Sequence, residues 1–174
     1  SINPNHLEYF KFAGQFIARV LIEGQCVDAH LTTSFCKQIL HREPDLIDVE
    51  DADEELYRNL NWMLQNDVDP LDMYFEITVK ELGVVKTIPL KENGEEIQVT
   101  NENKKEYVNL RTNYLLKKII EEQINSFCSG FDSLISHNDI KIFNPNELDL
   151  LICGIPQIDV NDFIENMTFE HPYN

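Results

Sequence analysis

The chain has 174 residues, 43% of them hydrophobic and 26% charged, a profile of ordinary globular proteins with room for one good core or two small ones. Its formal net charge of −17 argues against gripping a phosphate backbone or an anionic leaflet, since both tasks need a basic surface. No apolar run approaches the ~20 residues of a membrane-spanning helix. The opening SINPNHLEYF lacks the basic start of a signal peptide, which favours a cytoplasmic or nuclear home.

Asn3-Pro4 is a helix start, because Asn can cap and Pro is tolerated at the first helical position. The helix predicted over Leu7–Ile22 is apolar almost all the way round, as a core helix would be, and Gly24 stops it. Thr33 to Ile39 reads as a second helix, ended near Pro44. The run DVEDADEE at 48–55 lacks the turn glycine and terminal glutamate of a calcium loop and reads as a solvated acidic helix start. Within it Asp53 caps a third helix, with Leu56, Leu60 and Met63 on one face.

The period then changes. Met73, Phe75, Ile77 and Val79 alternate with Tyr74, Glu76 and Thr78, which is strand spacing. Gly83 and Asn93-Gly94 supply turns, and Ile97 with Val99 suggests another short strand. A small β-hairpin or meander over about 70–100 is therefore expected between helices. Asn103 and Glu106 have capping-box spacing and open a long helix to about Phe127, with Gly130 marking a break. Asn144-Pro145-Asn146-Glu147 repeats the cap chemistry before Leu148, Leu151 and Ile152. Gly154 and Pro156 stop that helix, and Asp159 caps another from Val160 to about Met167. The fold class is α+β, mostly helical.

No self-sufficient active site emerges. Cys26, Cys36, Cys128 and Cys153 form no CxxC pair, and the last three sit in apolar helical runs where a thiol behaves as a small hydrophobe. There is no HExxH, no phosphate-cradling glycine loop and no GxSxG elbow, so neither metal nor cofactor is expected. Tyr107, Leu110, Arg111 and Tyr114 share one side of the long helix, offset from its downstream stripe. Leu56, Leu60, Met73 and Phe75 would be their neighbours if the hairpin folds back. Aromatics, Met and Arg are enriched at interface centres. Periodicity alone favours the core of a small unit over a docking face.

Five segments in order carry a resemblance: NPNHLEYFKFAGQFIARVL, LYRNLNWMLQND, LKENGEEIQVTNENKKEYVNL, IEEQINSFCSGF and NELDLLICGIPQIDVNDF. Together they resemble the amino-terminal lobe of the HECT-type ubiquitin ligases over nearly the whole chain. The resemblance implies a large helical subdomain (1–43 and 121–154) and a smaller conjugating-enzyme-binding subdomain (44–120). Residues 155–174 would be a hinge and the start of a carboxy-terminal lobe. It assigns Leu56, Leu60, Met73, Tyr107 and Arg111 to the conjugating-enzyme groove, and Gly154, Ile155, Pro156 and Gln157 to the hinge. A groove of this kind would be partly exposed, with Tyr107 as an anchor.

The implied partners are a ubiquitin-conjugating enzyme, ubiquitin and protein substrates, with no nucleic acid and no membrane. No catalytic residue is expected in this stretch, because the family's reactive cysteine lies in the second lobe and none of the four here matches it. Cys36 stands where the pattern has Tyr, and Phe163 where it commonly has Trp. The alternatives are a non-catalytic scaffold, or an acidic adaptor that binds a basic protein.

Overall fold

The computed structural model describes residues 4–81, 83–155 and 164. In chain order the helices are α1 (His6–Ile22), α2 (Thr33–Ile39), α3 (Val49–Ala52), α4 (Glu54–Gln65), α5 (Lys104–Leu116), α6 (Glu121–Asp132), α7 (His137–Ile140) and α8 (Pro145–Cys153). Between α4 and α5 lies one antiparallel hairpin, β1 (Glu76–Glu81) and β2 (Val84–Pro89), with Ile77 opposite Ile88. The protein is mostly helical, with a two-stranded hairpin inserted.

Side-chain caps start four of the eight described α-helices, α2, α4, α7 and α8. The Asp53 carboxylate accepts from the Leu56 amide at 2.9 Å and starts α4. Asn144 and Glu147 form a reciprocal capping box at the head of α8, with bonds of 2.9 and 2.7 Å. Gly83 turns the hairpin at φ +84° and Asn93 takes the left-handed region at +54°. Ile97 and Val99 form no strand of their own. A single bridge joins Tyr74 to Gln98, while the Phe75 amide reaches the Ile97 carbonyl at 3.1 Å.

Two hydrophobic clusters result. The first gathers Ile17, Ala18, Cys36, Ile39, Leu40, Phe127, Phe131, Ile140, Leu148 and Ile152 from α1, α2, α6, α7 and α8. The second gathers Leu60, Met63, Val68, Phe75, Val99, Tyr107 and Val108 from α4, α5 and the chain around the hairpin. In the first, α1 and α6 cross closely enough for backbone to touch backbone. A Cβ on Gly14 would overlap the Phe127 carbonyl, and one on Gly130 would overlap that of Lys11.

The structure departs from several expectations. Gly130 does not break α6; it lies inside the helix and lets α1 approach. The long helix from Asn103 ends at Leu116, where the Gln38 side chain donates to the Leu116 carbonyl at 3.2 Å and a 3-10 turn (Lys118–Ile120) leads into α6. The interruption lets α5 serve the second cluster and α6 the first. The Asn103–Glu106 box does not form. Asn103 accepts from the Thr100 amide at 2.7 Å, and Glu106 pairs with Lys91 at 2.9 Å.

Asp48, read as part of a solvated run, is buried and holds Lys37 at 2.7 Å. Among the described residues helix α1 packs chiefly on α6, with α8 beside it, and leaves Tyr9, Phe12 and Phe16 exposed. Pro156, Gln157 and the helix expected from Val160 to Met167 fall outside the described residues, Ile164 apart.

Candidate functional site

The residues singled out from the sequence converge. Leu56 and Leu60 come from α4, Met73 from the approach to β1, and Tyr107 and Arg111 from successive turns of α5. Leu60 and Tyr107 belong to the buried second cluster, and Leu56, Met73 and Leu110 pack against it. The depth differs from the expected open groove. Tyr107 is 5% exposed and Leu60 2%, whereas Leu56, Met73 and Arg111 are half-buried. Tyr107 is sunk because Phe75 stands against it edge-on, with ring centroids 5.6 Å apart. Burial pushes the Tyr107 phenol above its ordinary pKa, and the Arg111 charge works against that rise.

Phe75 is the pivot of the cluster. Its amide bonds to the Gly94 carbonyl at 3.0 Å, its carbonyl accepts from the Leu90 amide at 2.7 Å, and the Lys91 ammonium sits 3.8 Å from its ring centroid. Gly94 is required by this packing, since a Cβ there would overlap the Phe75 carbonyl. The Met73 carbonyl accepts from the Val99 amide at 2.7 Å, which fixes Met73 beside the cluster.

Sequence reading missed the fastening role of Asn101 and Lys104. The Asn101 side chain accepts from the Val68 amide at 3.2 Å and donates to Asp67 at 2.5 Å. The bond from Asn101 is the leading cause that holds the Asp67 carboxyl below its usual range. Lys104 donates to the Asn66 carbonyl at 2.5 Å. These bonds clamp the exit of α4 to the entry of α5, the two helices that carry most of the candidate residues. The available signal was the polar density of NENKK, which exceeds what one helix cap needs.

One other constellation suggests chemistry. Cys128, His41 and Asp132 line a cavity of about 360 Å³ together with Gln38, Arg42 and Lys117. The arrangement is unsuited to nucleophilic catalysis. The Cys128 thiol points to the Gln38 carbonyl at 3.6 Å, and His41 is engaged with Asp132 at 3.0 Å. Burial, with help from Asp132, pushes the Cys128 thiol up to about 11, whereas an attacking thiol needs the opposite shift. Cys36 is fully buried and pushed up to about 12 by desolvation, then by Asp149 and Cys153. Among the described residues no group of His, Cys, Asp and Glu could hold a metal ion, and no helix is long and apolar enough to cross a membrane.

The HECT-domain (ubiquitin-transferase) family matches residues 1–174. The chain is 47% identical over 163 residues to the E3 ubiquitin-protein ligase pub1 of Schizosaccharomyces pombe, covering 93% of this chain and 21% of that protein. It is 43% identical to pub3 of the same yeast over 164 residues, 94% of this chain and 21% of the relative. To the E3 ubiquitin-protein ligase RSP5 of Emericella nidulans it is 43% identical over 163 residues, 93% and 20% of the two chains. The chain belongs to the HECT-domain family. It spans about a fifth of the length of these relatives.

Proposed function

We propose that the protein to which this chain belongs is a ubiquitin-protein ligase, and that this part docks the ubiquitin-charged conjugating enzyme. A cysteine of a second lobe would accept ubiquitin by transthiolation and pass it to a substrate lysine, which is covalent catalysis by a nucleophile supplied elsewhere. The share of this part is positioning, holding the donor thioester where a mobile lobe can reach it. The reading rests on family membership, on relatives that bear the name E3 ubiquitin-protein ligase, and on burial that pushes the Cys36 and Cys128 thiols up and away from nucleophilic use.

The observation that carries the docking role is the convergence of Leu56, Leu60, Met73 and Tyr107 on one apolar unit from distant parts of the chain. Their burial suggests a division of labour. Leu56, Met73 and Arg111 form the contacting edge, while Leu60 and Tyr107 support it from beneath. The second cluster then belongs to a docking subdomain over 44–120, and the first to a helical body over 1–43 and 121–154. Residues 155–174 lead toward the second lobe, with a hinge at Gly154–Gln157. Gly154 favours this role, since its backbone (φ +77°, ψ −171°) is one that residues with a side chain rarely adopt. The reading implies a cytoplasmic or nuclear protein, where charged conjugating enzymes would meet it.

The test is titration of a panel of ubiquitin-conjugating enzymes against the wild-type chain and its Leu56→Ala and Met73→Ala variants. Weakened binding by folded variants supports the docking edge. Undiminished binding by both removes it.

A further inference from the structure

Beside the last turn of α8 lies a pair of thiols that ubiquitin transfer does not use. Cys26 is an exposed free thiol in the connection between α1 and α2. The next residue, Val27, donates its amide to the Ile152 carbonyl at 2.8 Å, which straps this connection to the end of α8. On the other side of Cys153, the Cys26 sulfur lies 3.4 Å from where a Cβ would sit on Gly154. The strap therefore meets α8 at Ile152 and at Gly154, and the residue between those two contacts is Cys153. Cys153 is half-buried and closes α8 as its final residue.

We propose that Cys26 and Cys153 form a reversible disulfide under peroxide, cross-linking the α1–α2 connection to the end of α8. The connection touches the chain on both sides of Cys153, which brings Cys26 beside it; the bond then requires side-chain rotation and a shift of the exposed connection that bring both sulfurs into the narrow geometry disulfides tolerate. The chemistry balances. The exposed Cys26 thiol is oxidised by hydrogen peroxide to a sulfenic acid, releasing one water as the O–O bond breaks. The Cys153 thiol then attacks that sulfur; the S–S bond forms, the S–O bond breaks, and the hydroxyl leaves with the thiol proton as a second water. Two thiols lose two electrons in all, and one peroxide gains them.

Cys36 is the competing partner for Cys153. It is fully buried on α2, and its thiol stays protonated at neutral pH. The cross-link would pin the residue immediately before Gly154 to the α1–α2 connection. As a consequence it would stiffen the proposed hinge, a step that rests on the functional reading above; formation of the bond does not.

The test uses the intact chain, treated with hydrogen peroxide and mapped by mass spectrometry of non-reduced peptides. The expected product joins the Cys26 and Cys153 peptides, is two hydrogens lighter than their sum, and is released by dithiothreitol. It disappears in Cys26→Ser and in Cys153→Ser, while Cys36→Ser retains it. Amide exchange at Gly154 and Ile155 should slow several-fold in the linked form. A Cys36–Cys153 peptide would overturn the assignment, as would Cys26 advancing to a sulfinic acid while Cys153 stays free. Linkage without slower exchange would overturn the stiffening alone and leave the docking face untouched.

Discussion

The Tyr107 ring meets Phe75 edge-on at an interplanar angle of 79°, beneath rather than upon the surface of the second cluster. This placement makes Tyr107 a support for the docking edge. Tyr107→Ala should destabilise the protein by about 3–5 kcal/mol, the usual loss for a buried aromatic. Tyr107→Phe keeps the ring and should cost under about 1.5 kcal/mol. Urea unfolding of both variants checks this, and near-equal midpoints for Tyr107→Ala and wild type would contradict the burial.

The crossing of α1 over α6 gives a second prediction. Neither Gly14 nor Gly130 has room for a methyl group, and the obstructing atoms are backbone carbonyls that cannot rotate away. Gly14→Ala and Gly130→Ala should each destabilise by about 1–3 kcal/mol through overpacking, although alanine is the better helix former. A gain in unfolding midpoint for either would show that the helices sit farther apart.

How much of this was readable from sequence divides along the range of the forces involved. The caps at Asp53 and Asn144 were legible because donor and acceptor lie within three residues. The Asn103–Glu106 box had the same spacing and failed, because Thr100 and Lys91 engage those two side chains first. The helix end at Leu116 depends on Gln38, far away in sequence, and no local pattern announces it. For the candidate site, family resemblance named the residues, and the fold brings Leu56, Leu60, Met73 and Tyr107 together. Their depth was not legible. Exposure depends on what covers a side chain, and the cover on Tyr107 comes from Phe75 across the unit.

The Lys37–Asp48 pair yields a pH prediction. Their side chains are 15% and 1% exposed and 2.7 Å apart. Burial alone would lower the Lys37 pKa, but bonds to Asp48 and Asp45 and their charges outweigh it and hold the value above the ordinary 10.5. A folded-state pKa above the unfolded one means the stabilisation is complete below about pH 10.5 and is lost as pH climbs through the higher folded value. Lys37→Met should cost about 3–5 kcal/mol at pH 7, since it strands a buried carboxylate. Its alkaline loss of stability should also be shallower than that of wild type, which parallel unfolding curves from pH 7 to 11.5 would reveal.

The raised thiols give a prediction about reactivity. With Cys36 near 12 and Cys128 near 11, neither holds useful thiolate at pH 7.5. Iodoacetamide should label exposed Cys26 before either of them. Incubation with a ubiquitin-charged conjugating enzyme should leave no dithiothreitol-sensitive ubiquitin adduct on this chain. Such an adduct on Cys36 or Cys128 would contradict the view that the nucleophile lies elsewhere.

The central claim is that the Leu56–Met73–Arg111 edge receives a conjugating enzyme, and the most direct measurement is affinity set beside fold stability on the same variant. Leu56→Ala removes a half-buried side chain from the edge and leaves the Tyr107–Phe75 contact beneath it in place. Calorimetric titration with the conjugating enzyme that binds wild type best should show affinity lower by about 1–2 kcal/mol, roughly five- to thirty-fold. The unfolding midpoint should fall too little to populate unfolded chain at the titration temperature. Unchanged affinity in a folded Leu56→Ala protein, repeated with Met73→Ala, would contradict the docking edge.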